Sequence, residues 1–338
     1  MPEEKERVMD VLTVGMMVWD IPIAPVPKGI FEMEKAEITA PEPTTGGDAL
    51  NVAVTLAKLG GKPAVAGRLG LDANGDAVLR KTEEAGVDIS QVIRDGEGRT
   101  AVSYLLIDEE GEKHALSDTQ IYHRLTAEDV SDEAIARSRL VYFGSAFQMG
   151  QMDRGGILKL FKRAHDFGKW TAMDTALADD TADREVLLEQ LAPALGETDV
   201  FLPSYKEAVH LSGEETPEKI AEFFQPFGIR IFGVKLGGEG CYLTDYQEAY
   251  RLPCFSDFPV KDTTGAGDSF VGGFLRGFLA GWDLESCGRF ASAVAAHNVS
   301  AKGAAAGVPD FDTVLRFLTK NGFEMKKGFE RKKREGSR

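Results

Sequence analysis

The chain has 338 residues, 43% hydrophobic and 28% charged, the balance of a globular protein large enough for one α/β domain with a small appendage. A net charge of −15 argues against nucleic acid or an anionic membrane surface as the main partner. It leaves room for an anionic nucleotide, because local amide geometry and a metal outweigh a distant surface charge.

The acid-rich start has no basic leader, and the apolar run Val11–Val18 is too short to span a bilayer, so a cytoplasmic protein is expected. Cys241, Cys254 and Cys287 are far apart, which fits reduced thiols better than disulfides or a zinc site.

In chain order, Val11–Val14 followed by Gly15 reads as a buried strand. Ile21–Pro43 carries five prolines and alternating pieces such as Ile30–Lys35, read as short half-exposed strands. A helix begins near Gly46, with Ala49, Leu50, Val52, Ala53, Leu56 and Ala57 as its apolar side and Gly60 as its end. Ala64–Gly67 is a strand and Asp76–Ala85 a second helix. Thr100–Asp108, a turn, and Lys113–Leu116 form a hairpin, which pairs with the first β-only stretch as one small sheet.

A helix is expected from Leu125, with Thr126 as its N-cap. From there strands (Leu140–Phe143, Trp170–Met173, Val200–Leu202, Ile231–Val234) alternate with helices (155–165, 184–191, 205–211, 218–224). Two further helices, 284–301 and 311–318, close the chain. Such alternation makes a parallel sheet covered on both faces, with ligands bound beyond the carboxyl ends of its strands. Asp174, Ser204, Lys235 and Asp268 fall there.

Chemistry concentrates in Asp262-Thr263-Thr264-Gly265-Ala266-Gly267-Asp268-Ser269-Phe270. Two glycines open a strongly apolar helix, and the free N–H groups of its first turn suit an anion such as a phosphoryl group. A carboxylate beside them repels that anion, so Asp268 makes sense as a general base, although a capping carboxylate has the same pattern. In Gly46-Gly47-Asp48-Ala49-Leu50-Asn51, Asp48 and Asn51 lie about one helical turn apart and suit a polyhydroxylated ligand; a plain helix start accounts for them equally. Ser204-x-x-Glu207 has the form of a capping box. Gly237-Gly238-Glu239-Gly240 reads as a nucleotide-side loop or a hairpin turn. A P-loop, a complete dinucleotide fingerprint and a Gly-x-Ser-x-Gly elbow are all missing.

Taken together, the 262–270 motif, Gly46-Gly47-x-x-x-Asn51 and Gly67-x-x-Gly70-x-Asp72-x-x-Gly75 resemble the PfkB (ribokinase-like) family of sugar and nucleoside kinases, over about Val11 to Leu318. The resemblance implies a three-layer α/β/α core with a mostly parallel sheet (1–15, 46–97 and 126–322) and a β-sheet lid from two insertions (16–45 and 98–125); composition marks 323–338 as a basic, disordered tail. It implies ATP as donor, Mg²⁺, and transfer to a hydroxyl of a small sugar, polyol or nucleoside. Asp268 would be the base, with Gly265, Ala266 and Gly267 as the anion hole. Asp20, Gly47, Asp48 and Asn51 would bind the acceptor. Ser204, Glu207, Lys235, Gly237, Gly240 and Ser292 would line the nucleotide site, Glu207 holding Mg²⁺ through water. Asp262, Thr264 and Gly303 match positions that in some members surround a monovalent cation such as K⁺.

The chain departs from the family at Ser204, where Asn is usual, at Lys235, where Thr is common, and at Asp48. Asp48 and Asp20 together disfavour an anionic acceptor. Alternatives are a nucleoside kinase, with Trp19 or Phe147 stacking on the base, and a sugar-binding regulator without catalysis. A homodimer through the lid is the expected assembly.

Overall fold

The computed structural model describes residues 8–39, 42–177 and 182–328. In chain order the first half contains β1 (Met9–Val14), β2 (Val18–Val26), β3 (Thr44–Gly46), α1 (Asp48–Lys58), β4 (Pro63–Gly70), α2 (Ala73–Glu84), β5 (Asp88–Asp95), β6 (Val102–Asp108) and β7 (Lys113–Asp118). The middle contains α3 (Asp132–Arg137), β8 (Ser138–Ala146), α4 (Ile157–Asp166), β9 (Trp170–Thr175), α5 (Arg184–Leu195), β10 (Val200–Phe201), α6 (Tyr205–Ser212) and α7 (Pro217–Phe224). Then come β11 (Ile231–Lys235), β12 (Cys241–Thr244), β13 (Ala249–Leu252), α8 (Ala266–Leu279), α9 (Leu284–Asn298) and α10 (Phe311–Lys320).

Nine strands form one sheet in the order β13-β12-β11-β10-β9-β8-β1-β4-β5. It is parallel from β11 through β5, and β12 and β13 are added antiparallel at one edge. The mid-sheet strands are apolar on both faces because each face is covered. On β1, Leu12 and Val14 join the core formed with α3 to α7, while Val11 faces the core formed with α8 to α10. Neighbouring β8 alternates likewise, with Val141 and Phe143 on one side and Leu140 and Tyr142 on the other. Helix α4 buries Ile157, Leu160, Phe161 and Ala164, the spacing of one helical face.

A second sheet, β3-β2-β6-β7, stands apart from the first. Asp72 joins the two. It caps α2 by accepting from the Gly75 N–H (2.8 Å), and takes the N–H (2.8 Å) and hydroxyl (2.7 Å) of Thr100, just before β6. A Cβ on Gly75 would stand 2.4 Å from the Gly70 carbonyl oxygen. The Gly-x-x-Gly-x-Asp-x-x-Gly stretch thus has a packing reason.

Several expectations need correction. Ile30–Lys35 is no strand: it holds one 3-10 turn, Ile30–Glu32, with Phe31 99% exposed. Alternation there has no partner strand to pair with. Thr126 starts only the three-residue turn Ala127–Asp129, and the helix proper begins at Asp132. A π turn at Met152–Gly156 delays α4, and Asp72 starts α2 earlier than expected. Phe323 to Gly328, assigned to a disordered tail, pack on the core. Phe323 lies 6.0 Å from Phe255 and under Arg289, and the Lys326 carbonyl accepts from the Asp283 N–H at 2.9 Å. Residues 329–338 lie outside the described residues. No helix among those described is long and apolar enough to cross a membrane, and Cys241, Cys254 and Cys287 are free thiols.

Candidate active site

The start of α8 is built by one glycine. Gly265 takes φ +69°, and any Cβ there would stand 2.0 Å from the Ala304 carbonyl oxygen. No residue with a side chain fits that turn. Ala266 N–H closes it with a 3.2 Å bond to the Thr263 carbonyl, so one of the three presumptive anion-hole amides has a competing partner. Those of Gly265 and Gly267 have no backbone acceptor among the described residues. Behind the turn, Phe270, Val271, Phe274, Leu275 and Phe278 are buried, roughly 1.5–3 kcal/mol for each large side chain, which holds the helix start in place.

α8 packs against α1 without a side chain between them at Gly272, where a Cβ would lie 2.6 Å from Thr55 Cγ2. That approach brings two distant motifs together: Asn51 Nδ2 donates to Asp268 Oδ2 at 2.8 Å. Burial raises the pKa of Asp268, opposed by the Asn51 bond and Lys235 and reinforced by Glu207.

Gly47, at φ +94°, starts α1, and a Cβ there would stand 2.4 Å from the Met16 carbonyl oxygen. Asp48, next in sequence, has Oδ2 buried without a partner. Burial and the neighbouring Asp268 push its carboxyl well above the usual range. Asp20 comes in from β2 of the small sheet, and burial raises its pKa to about 6. A Cβ on Gly46 would stand 2.1 Å from Asp20 Oδ2, so the Asp20 carboxylate lies against the glycine pair that starts α1. Gly47, Asp48, Asn51, Asp20 and Asp268 are therefore brought together.

Lys235, at the end of β11, ion-pairs with Asp174 at the end of β9. A Cβ on Gly267 would lie 3.6 Å from Lys235 Nζ, so the ammonium sits against the anion turn. Burial pushes the Asp174 pKa up to about 7 even with Lys235 beside it. Tyr142, from β8, lies beneath this cluster with its hydroxyl buried and unpartnered. Sequence reasoning noted Asp174 only as a polar strand end and missed Tyr142, which reads as an ordinary core aromatic.

Ser204 and Glu207 form the capping box of α6: Glu207 Oε2 accepts from the Ser204 N–H (3.1 Å) and hydroxyl, and Oε1 from the Leu177 N–H (2.8 Å). Both carboxylate oxygens thus accept from protein donors, and Oε1, with one such bond, keeps a lone pair for a water. No group of three or more His, Cys, Asp or Glu among the described residues could hold a metal alone. A Mg²⁺ bound here would take most of its ligands from phosphate and water, the usual habit of that ion.

Asp262, Thr264 and Gly303 do converge. Asp262 accepts from Thr264 N–H (3.0 Å), Thr264 Oγ1 (2.7 Å) and Gly303 N–H (3.0 Å). The cation on them is the ammonium of Lys113, from β7 of the small sheet, which pairs with Asp262 and donates to Thr264 Oγ1 at 2.8 Å. Burial pushes the Asp262 carboxyl up, but Lys113 and Thr264 outweigh it and bring the pKa to about 2.

Gly237 and Gly238 border open space, whereas Gly240 is required by the β11–β12 hairpin, a Cβ there falling 2.0 Å from the Leu252 carbonyl oxygen. Ser292 is not on an open wall: it is 6% exposed with its hydroxyl 3.8 Å from Cys241 Sγ, facing the sheet. Trp19 is also buried, with the Lys81 ammonium 5.7 Å from its ring. A cavity of about 350 Å³ is lined by Phe147, the other candidate for stacking on a base, with Met152, Arg154 and Leu191, and by none of the acids, lysines or turn glycines of the site.

Residues 9–310 match the family described as pfkB family carbohydrate kinase. Among curated relatives, an ATP-dependent ribose-1-phosphate kinase of Halopiger xanaduensis is 30% identical over 311 residues, covering 91% of this chain and 98% of the relative. Fructokinase-1 of Oryza sativa is 28% identical over 323 residues, 91% and 97% of the two chains. Among solved structures, ribokinase of Thermotoga maritima superposes with a TM-score of 0.76 at 26% identity, covering 92% of this chain and 99% of that one. Ribokinase of Arabidopsis thaliana, solved with ribose and ATP, gives 0.78 at 24% identity, covering 91% and 98%. The chain belongs to the pfkB family of carbohydrate kinases, phosphotransferases whose acceptor is a hydroxyl group.

Proposed function

We propose that this protein transfers the γ-phosphoryl group of ATP to a hydroxyl of a neutral sugar or polyol, with Asp268 as general base. The observation that carries the reading is the position of Asp268: in the first turn of the glycine-opened helix, fastened by Asn51 and facing Lys235. Such a carboxylate takes the acceptor's proton while the neighbouring amides hold charge on the transferring group. Gly265 and Gly267 supply those amides. Asp20, Asp48 and Asn51 accept from and donate to the acceptor's hydroxyls, and Gly47 lets the chain approach it closely.

Asp20 faces the acceptor as a carboxylate that is ionised above about pH 6, which disfavours an acceptor carrying its own carboxylate or phosphate. Lys235, Gly237 and Ser204 border the nucleotide side, and Mg²⁺, its waters held by Glu207, would neutralise phosphate charge there. The small sheet acts as a lid, excluding water from the transfer. The segment between β2 and β3 exposes Phe31, Met33 and Ile38, and β6 and β7 expose Tyr104 and Leu116, apolar area suited to a second copy of the chain, so we assign a homodimer through the lid.

A coupled-ADP screen against neutral sugars, polyols, sugar acids, sugar phosphates and nucleosides tests the reading. Turnover confined to neutral sugars or polyols is expected. Preference for a sugar acid or sugar phosphate overturns the acceptor class, and no acceptor-dependent ADP release overturns the kinase assignment. Sedimentation tests the dimer.

A further inference from the structure

Strands β9 and β11 flank β10, and their last residues reach across it: Lys235 Nζ donates to Asp174 Oδ2. The Asp174 side chain is 4% exposed and that of Lys235 14%. Burying such a pair costs solvation that its attraction only partly returns, so a buried pair is weak support for stability and needs another reason. Its place supplies one. The ammonium rests against Gly267, the last residue of the anion turn, on a backbone fixed by the Lys235 N–H bond to the Pro203 carbonyl (3.1 Å). Around it stand the carboxylates of Asp174, Glu207 and Asp268. Without that positive charge, an incoming phosphoryl group would meet acid groups on several sides.

We propose that Lys235 is a catalytic residue that contacts the phosphoryl group seated on the 265–267 turn, and that Asp174 is the positioning residue that holds its ammonium there. The inference rests on the kinase reading above. As the acceptor oxygen–phosphorus bond forms, the phosphorus–oxygen bond to ADP breaks and its electron pair leaves with ADP. The acceptor's proton passes to Asp268. Lys235 keeps its proton throughout and donates to the phosphoryl oxygens while still bonded to the Asp174 carboxylate, so its charge is already in place when negative charge moves onto them.

The test compares Lys235→Met, Lys235→Arg and Asp174→Asn with the wild type. It reads kcat, KM for ATP, melting temperature, and affinity for ADP alone and for ADP with aluminium fluoride, a mimic of the group in flight. Lys235→Met is expected to lower kcat by roughly 100- to 1,000-fold and to weaken ADP–aluminium fluoride binding alike, with ADP affinity unchanged within about threefold. Lys235→Arg should recover about tenfold, and Asp174→Asn should lose about tenfold in kcat.

Retention of kcat and of ADP–aluminium fluoride affinity in Lys235→Met overturns the proposal. So does an equal loss of both affinities with a lowered melting temperature that Arg does not restore, which marks a structural pair. The aluminium fluoride measurement needs no acceptor. A wild type inactive on every compound screened would sink the sugar-kinase reading and still leave Lys235 decided.

Discussion

Helices α1 and α8 begin alike. Each is started by a glycine at positive φ, Gly47 or Gly265, with no side-chain cap, and each carries an aspartate in its first turn. Their surroundings differ. Asp268 receives the Asn51 amide and faces the Lys235 ammonium, while Asp48 has an oxygen buried without a partner and Asp268 as a like-charged neighbour. Burial raises both; at Asp268 the Asn51 bond and Lys235 oppose it, while at Asp48 the charge of Asp268 adds to it against the Ser145 hydroxyl and a backbone N–H. Two carboxylates in one site whose environments push them apart are suited to different roles, one taking a proton and one offering a hydrogen bond. The starts differ locally, since Asp48 follows Gly47 directly whereas Asp268 is the third residue of α8 after a left-handed Gly265, and the partners brought by other strands and helices separate them further.

The largest effect is expected at the α8 start. Asp268→Asn should lower kcat by roughly 1,000-fold with ADP affinity retained, measured by coupled assay and calorimetry. Because the Asp268 pKa is raised and the base must be ionised, wild-type kcat/KM should climb with pH along a limb displaced above the ordinary carboxylate value of about 4. A limb centred at or below that value would break the contrast with Asp48.

At the α1 start the loss should appear in binding. Asp48→Ala should raise the acceptor KM by roughly 10- to 100-fold with kcat less affected, and Asp48→Asn, a near isostere of the protonated form, by only about threefold. Equal losses in the two variants would mean that Asp48 works as an ionised group.

A smaller effect should come from the lid contact before α8. Lys113→Met should lower kcat/KM by about fivefold and make the rate rise with added KCl over matched choline chloride, while the wild type responds to neither. A wild type stimulated by K⁺ would mean that the ammonium does not serve as the cation on Asp262.

The remaining effect is on stability. Asp20 is raised to about 6 in the folded protein, so it favours folding below its unfolded pKa, and that advantage is lost as pH rises through 6. Asp20→Asn should therefore be more stable than wild type by about 3 kcal/mol at pH 8, with the difference fading below about pH 4. Denaturant melts at the two pH values check this.

Much of the fold was legible because it depends on repeated local patterns. The apolar runs of β1, β4, β8, β9 and β11, with helical periods after β4, β8 and β9, predict the parallel sheet. Strand β5 escaped notice because an edge strand with Asp88, Ser90, Gln91 and Arg94 shows no apolar run. β12 and β13 are short and lie beyond a glycine turn that reads as a loop. Ile30–Lys35 misled because alternation tells of a strand only where a neighbour pairs with it.

By itself the sequence determined the two glycine-started helices, the acids inside them and the capping box at Ser204, since each depends on residues within one turn of one another. Only the tertiary structure decided that Asn51 meets Asp268, that Asp174 meets Lys235 across β10, and that Lys113 covers Asp262. These pairs are 217, 61 and 149 residues apart, and no local rule of backbone geometry relates residues at such distances. The order of strands in the sheet and the fold of the small sheet over it bring them into contact, and the resulting burial sets which carboxylate holds its proton.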